Sequence, residues 1–328
     1  MSYKRKIFLL VPLLILTALT GLYFGSAALS PAEFFAALTG RGDDSLGVIL
    51  WQLRFPRVIA GLLAGVGLST AGVLLQSVTA NELASPNIIG INSGAGLAVI
   101  LMLTVAPAAG NALPFAAFLG AFGAAMVILT AADRLSGSRS AILLIGIAIT
   151  TLLNALISFL SLLDEGVLAQ YNHFTVGSLK AVHMEELVIP AVIVVLAFGG
   201  AVLLSGQLGV LCLGDSAAAA LGVRVKRLRL LALACAAAGA AAVVSFAGLL
   251  GFVGLVVPHI ARRLVGERPA RLLPCAALIG AILVVLADLL GRTLFAPSEL
   301  PVGILMSLVG APYFLVLLCR RRKYAGIS

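Results

Sequence analysis

Seventeen of the 22 Lys and Arg residues in this chain fall in five short clusters: Lys4–Lys6, Arg134/Arg139, Arg224–Arg229, Arg262–Arg271 and Arg320–Lys323. Long stretches almost without charge separate them, and residues 83–132 carry none at all. This spacing constrains the fold more than any other feature. Basic residues flanking apolar spans concentrate on the cytoplasmic side of a membrane. Neighbouring clusters must then be joined by an even number of crossings, with both termini inside. Five cations fall outside the clusters: Arg41, Arg54, Arg57, Lys180 and Arg292. They lie on the predicted outer side, against the charge bias, and need an explanation of their own.

Composition agrees with a polytopic membrane protein. The chain is 61% hydrophobic and 11% charged, with a mean hydropathy of +1.15, whereas soluble domains carry about 25% charged residues. The net charge of +9 is an orientation signal. It is dispersed as short flanks of apolar runs, which excludes the continuous basic patch of a nucleic-acid binder. Cys212, Cys235, Cys275 and Cys319 are scattered without metal-ligand spacing and read as small apolar residues. Residues 7–28 are too long and too apolar for a cleaved signal peptide and read as a retained first helix.

A crossing needs about 20 mostly apolar residues. Runs at 7–28, 57–77, 88–107, 113–132, 141–162, 188–207, 229–248, 255–266, 272–291 and 301–319 give ten, which satisfies the even-number rule. The sequence therefore predicts an all-α polytopic protein of ten transmembrane helices with cytoplasmic termini. Its short loops make residues 1–328 a single membrane domain. Small residues at Gly61, Gly65, Gly67, Gly72 and Ala236–Ala242 predict close helix packing. Segments 57–90 and 227–260 both start at an arginine and end at a Pro-broken turn (Pro86, Pro258), in opposite predicted directions. That echo suggests inverted repeats, as transporters use.

Three segments are candidates for function. Arg54-Phe55-Pro56-Arg57 opens the second span at its outer end, and Arg292 closes the ninth, with Asp288 one turn earlier and Glu299 beyond. Two readings compete: interfacial snorkelling with a local Asp288–Arg292 pair, or an outward cationic patch for an acidic partner or anionic solute. On the inner side, residues 208–229 predict a short alanine helix capped by Asp215 or Ser216 and ended by Gly222, followed by a basic helix. Such a pair suits a partner's groove, or is an ordinary interfacial loop. Third, Gly248, Gly251, Gly254 and Pro258-His259 break the chain between spans seven and eight. His259 has no second ligand at metal spacing, and neither it, His173 nor His183 forms a metal site; all three read as structural or interfacial. The sequence shows no Walker A loop, HExxH or intramembrane carboxylate pair. A secondary transporter acting alone would need ion-binding carboxylates in its spans, and only Asp288 comes near. An intramembrane enzyme lacks a catalytic set.

Together LRFPR (53–57), SPNIIGINSGAG (85–96), LGDSAAAALGV (213–223), GLLGFVGLVVPHIARRLVG (248–266) and LADLLGRTLFAPSELPVGILMSLVGAPYFLVLL (286–318) resemble the FecCD-type permeases, membrane subunits of ABC importers for ferric siderophores, haem and cobalamin. The resemblance implies the ten-helix type II ABC importer fold in the bacterial inner membrane. It also implies a second permease subunit (identical or homologous), a cytoplasmic ATPase dimer and a periplasmic or surface-tethered binding protein. No cofactor is implied, and surrounding lipid is the only other contact. Arg54, Arg57 and Arg292 match docking positions for the binding protein. Leu213, Gly214, Asp215, Ser216, Ala217, Ala218, Ala219, Ala220, Leu221 and Gly222 match the coupling helix that sits on the ATPase. Gly251, Gly254, Pro258, His259, Pro301 and Gly303 match structural or gating positions. Ala80-Asn81-Glu82-Leu83-Ala84 departs from the family's Arg-Asn-Pro-Leu-Ala, losing an arginine and a proline in a predicted cytoplasmic turn.

Overall fold

A computed structural model describes residues 3–135, 139–180 and 182–325. Every regular element among them is helical. In chain order these are α1 (Tyr3–Tyr23), α2 (Pro31–Thr39), α3 (Asp44–Gly47), α4 (Phe55–Thr79), α5 (Ile91–Val105), α6 (Leu113–Leu135), α7 (Arg139–Ser161), α8 (Glu165–Val176), α9 (Met184–Leu211), α10 (Asp215–Ala220), α11 (Val225–Ala247), α12 (Val253–Val265), α13 (Pro269–Thr293) and α14 (Val302–Ala325). A π-helical stretch, Val48–Arg54, joins α3 to α4, giving one helical run over Asp44–Thr79. The Phe55 N–H there bonds Leu50 O, five residues back, and Pro56, which has no N–H to give, sits in the first turn of α4, where its absence is tolerated.

Seven of the described helical segments are long and apolar enough to cross a membrane; α5 and the apolar part of α14 (Val302–Val316) are shorter. The expected eighth span is shorter still. As α12 it has 13 residues, about 20 Å at 1.5 Å per residue against a hydrocarbon core of about 30 Å. The first span also ends early, at Tyr23 rather than residue 28. The polar stretch after the fifth run contains a helix, α8, that the apolar-run count passed over.

The bundle is arranged around α4, α11 and α13. Their apolar windows are 78%, 61% and 72% buried, against 11% for α1 and 17% for α7. Gly65 of α4 lies against the Gly280 backbone of α13, and Gly72 against Gly254 of α12. Gly94 of α5 meets Gly120 of α6 in the same way. In a bilayer no hydrophobic effect separates helices from lipid, so close backbone approach and dispersion hold them together. Gln76 bridges three elements in that packing. Its Nε2 donates to Ala84 O and Gly254 O, both at 3.4 Å, and its Oε1 accepts from Arg262 Nη2 at 3.0 Å. The 80–84 turn is closed despite its departure from the family pattern: Asn81 Oδ1 accepts from the Leu83 N–H at 2.9 Å.

Contacts fix which ends of the helices share a face. Lys6 donates to Leu264 O at the end of α12, and Arg271 lies 5.8 Å from the Tyr3 ring centroid. Lys226 pairs with Asp133 at 2.9 Å. Each contact joins two of the basic clusters seen in the sequence. Gly72→Ala is expected to lower stability by about 1–3 kcal/mol through overpacking, because a Cβ there overlaps the Gly254 backbone. Gly123→Ala, which meets open space, is the control. Thermal unfolding in detergent checks both, and equal midpoints would contradict the packing.

Candidate functional site

The opposite end of α1 from Lys6 carries the principal site. An α-helix leaves its last carbonyls without intrahelical partners. Here arginines from elsewhere supply the donors. Arg54 Nη1 donates to Leu22 O at 3.0 Å and to Tyr23 O, and its Nη2 donates to Ala27 O. Arg292 Nη2 donates to Gly21 O. Cations at a helix C-terminus also complement its dipole.

Beneath them sits one carboxylate. Asp288, 3% exposed, accepts from Arg57 Nε on both oxygens at 2.9 Å, and Arg57 Nη2 lies 2.9 Å from its Oδ1. Arg292 Nε is 3.5 Å from Asp288 Oδ2. The remaining nitrogen of Arg57, Nη1, meets Glu299 Oε2 at 2.8 Å. Arg54, Arg57 and Arg292 are all buried within the subunit, at 4%, 8% and 2%. The local Asp288–Arg292 pair expected from sequence is therefore present, and a shorter bidentate pair from α4 accompanies it.

These groups wall a pocket of about 150 Å³, lined by Arg54, Arg57, Lys180, Arg292 and Glu299 with Gly25, Ser26 and Ala27. Four of the five cations that break the charge bias thus meet in one place. Arg41, the fifth, is exposed elsewhere. Lys180 lies outside the family motifs, whereas Glu299 lies within the 286–318 motif. Lys180's position against the charge bias was the available signal, whereas nothing local marked Glu299 as a partner of Arg57. Burial raises the Glu299 pKa, but the hydrogen bond and charge of Arg57 outweigh it and hold the carboxyl below the ordinary range.

The second candidate segment lies at the other end of the bundle, beside Lys226 and Asp133. The alanine helix forms as α10, but Gly214, not Asp215 or Ser216, is its N-cap, at φ +105°. Asp215 instead pairs with Arg229 of α11 at 2.8 Å. The helix closes in a Schellman motif at Gly222, φ +83°: Val223 N–H bonds Ala218 O and Gly222 N–H bonds Ala219 O, both at 3.0 Å. Ala218 is buried, while Ser216, Ala219 and Ala220 are exposed, as are Leu213 (68%) and Leu221 (66%). A groove of about 1000 Å³ beside them is lined by Leu221, Arg224 and Arg227. Ala217 is half-buried between the two faces.

The Gly/Pro-broken segment joins three elements. Gly248 has φ +67° and Phe252 has φ +63°. The break's backbone groups bond to the end of α8: Ser178 N–H to Ala247 O at 2.9 Å and Leu249 N–H to Phe174 O at 3.3 Å. Gly303 N–H completes the junction on Gly177 O at 3.1 Å. Non-helical backbone at membrane depth needs such partners. Gly251 and Pro301 are partly exposed; Gly254 and Pro258 are buried in α12. The His259 ring stands edge-on to Tyr313, centroids 6.4 Å apart. Among the described residues, no group of three His, Cys, Asp or Glu could hold a metal.

Asp288→Ala leaves two buried arginines without their carboxylate. It is expected to cost about 3–5 kcal/mol, read as a lower unfolding midpoint and a lower yield of folded protein. An unchanged midpoint would show that the arginines do not need it.

The FecCD transport family model matches residues 13–320. An iron(3+)-citrate import system permease, YfmE of Bacillus subtilis (strain 168), is 39% identical, with 95% of this chain and 94% of the relative covered. The hemin transport system permease HmuU of Yersinia pestis is 37% identical, with coverages of 96% and 95%. An inward-facing solved structure, described as a metal-chelate type ABC transporter, superposes with a TM-score of 0.85 at 31% identity, covering 97% of this chain and 99% of that one. The chain belongs to the FecCD transport family.

Proposed function

We propose that this chain is the permease subunit of a binding-protein-dependent ABC importer carrying a ferric siderophore or related iron chelate across the bacterial inner membrane. Haem and cobalamin are the alternative cargoes. One observation carries the reading beyond family membership. Four of the five cations that break the charge bias meet in one pocket at one end of α1, while exposed Leu213 and Leu221 stand beside Arg224 and Arg227 at the other end of the bundle.

In this reading the chain crosses ten times with both termini cytoplasmic. The crossings are α1, the run through α4, α5, α6, α7, α9, α11, α12, α13 and α14. The short ones are completed by their non-helical flanks. The binding protein docks its carboxylates over Arg54, Arg57, Lys180 and Arg292. The Leu213–Gly222 segment seats in an ATPase dimer, whose ATP-driven closure moves α10. A second permease and lipid cover the apolar faces left bare on α7, α9 and α14. The solute passes between subunits without covalent chemistry, and the Gly248–Phe252 break with Pro258, His259, Pro301 and Gly303 allows the bundle to switch.

Gentle purification of the tagged protein from its native membrane is expected to recover a stoichiometric ATPase subunit. A lone folded chain that moves solute in liposomes would favour a secondary transporter. Ala219→Glu puts an unpaired charge on the exposed face of α10. It is expected to cut ATP-driven uptake about tenfold or more with membrane insertion intact. Unchanged uptake would show that α10 is an ordinary loop helix.

A further inference from the structure

We propose that Glu299 is an internal stand-in for the incoming carboxylate, holding Arg57 Nη1 until the binding protein displaces it. The inference rests on the docking reading of the pocket. Its observation is the division of labour on one guanidinium. Arg57 commits Nε and Nη2 to Asp288, buried within α13. Only Nη1 is left for a second anion, and Glu299 takes it at 2.8 Å.

The two carboxylates differ in how they are held. Asp288 sits in a helical turn packed against α4. Glu299 belongs to the non-helical stretch between α13 and α14, where residues 294–298 are exposed. Leu294 and Phe295 stand 65% and 54% exposed. Two backbone bonds, Leu294 N–H to Leu290 O at 3.0 Å and Leu300 N–H to Gly291 O at 2.9 Å, tie that stretch to α13, and the Ser26 hydroxyl is the other hydrogen-bond partner of Glu299. Glu299 is also the one carboxylate lining the pocket, facing Arg54, Arg57, Lys180 and Arg292.

A buried guanidinium stripped of a partner carries a large desolvation cost. Exchanging one carboxylate for another on the same nitrogen avoids that cost. Arg57 is thus kept fully paired at rest, while its Nη1 contact remains exchangeable. The apparent affinity for the partner is reduced by the fraction of pockets in which Glu299 stays in place. Displacement also reaches further into the fold. Glu299 is two residues before Pro301, and Gly303 beyond it bonds the end of α8. Exchange at Arg57 would therefore shift the first turn of α14 and its junction with α8.

The test uses the complete importer in nanodiscs and the binding protein recovered with it, with association followed by biolayer interferometry. Glu299→Gln removes the competitor and is expected to tighten binding roughly two- to fivefold, the worth of a partly exposed ion pair, mainly through faster association. Asp44→Asn removes an exposed carboxylate at the base of the same helical run and controls for net charge. A Glu299→Gln affinity equal to or weaker than the parent's would overturn the inference, as would an equal gain from Asp44→Asn. The docking reading fails separately if Arg57→Gln and Lys180→Gln both leave affinity unchanged. If Glu299→Gln does not assemble, Glu299→Asp, with the same charge on a shorter reach, is expected to give a smaller gain; no gain overturns the inference.

Discussion

The buried carboxylate of Asp288 is the interaction on which one end of this bundle depends. It accepts from Arg57 of α4 and neutralises Arg292 on its own helix. Those arginines then have nitrogens to spare for other elements. Arg292 reaches Gly21 on α1 and Arg57 reaches Glu299 on the stretch before α14. One anion thereby joins α1, α4, α13 and the stretch that follows α13. A charge at 3% exposure survives only with such partners. Removing Asp288 leaves Arg57 and Arg292 without the carboxylate they share.

The remainder of the bundle follows from the absence of water in its surroundings. Backbone groups must pair within the protein, so the breaks at Gly177, Gly248 and Gly303 satisfy one another. Helices attract through close contact, so glycines occupy the crossings of α4 with α13 and α12. The basic clusters gather at the opposite end, where Lys6 meets the end of α12 and Lys226 meets Asp133. In the proposed reading, one end receives a partner and the other receives force. The long helices α4 and α13 connect the two.

Much of this could be read from the sequence, for physical reasons that can be named. Apolar length, charge bias and Gly/Pro breaks are local, so the all-helical architecture and the opposite placement of Arg54/Arg57/Arg292 and Leu213–Gly222 emerged from them, although seven described segments rather than ten are long and apolar enough to cross. Burial of the arginines did not. Arg57 and Asp288 lie 231 positions apart, and no local pattern announces that pairing. Only the weaker Asp288–Arg292 contact, at i,i+4, was visible. The 255–266 run forms as α12, Val253–Val265, whose 13 residues are shorter than the hydrocarbon core. α8 was hidden by its polar residues, since counting apolar runs does not detect a surface helix. The N-cap of α10 was misplaced because Asp215, a good capping residue, is drawn to Arg229 instead.

The most direct measurement is uptake of iron-55-labelled ferric chelate by proteoliposomes holding the purified permease, its ATPase and its binding protein. Accumulation is expected only when Mg-ATP is supplied on the ATPase side and binding protein on the other. Uptake that persists without ATP, or without binding protein, would contradict the reading of this chain as the permease of an ABC importer.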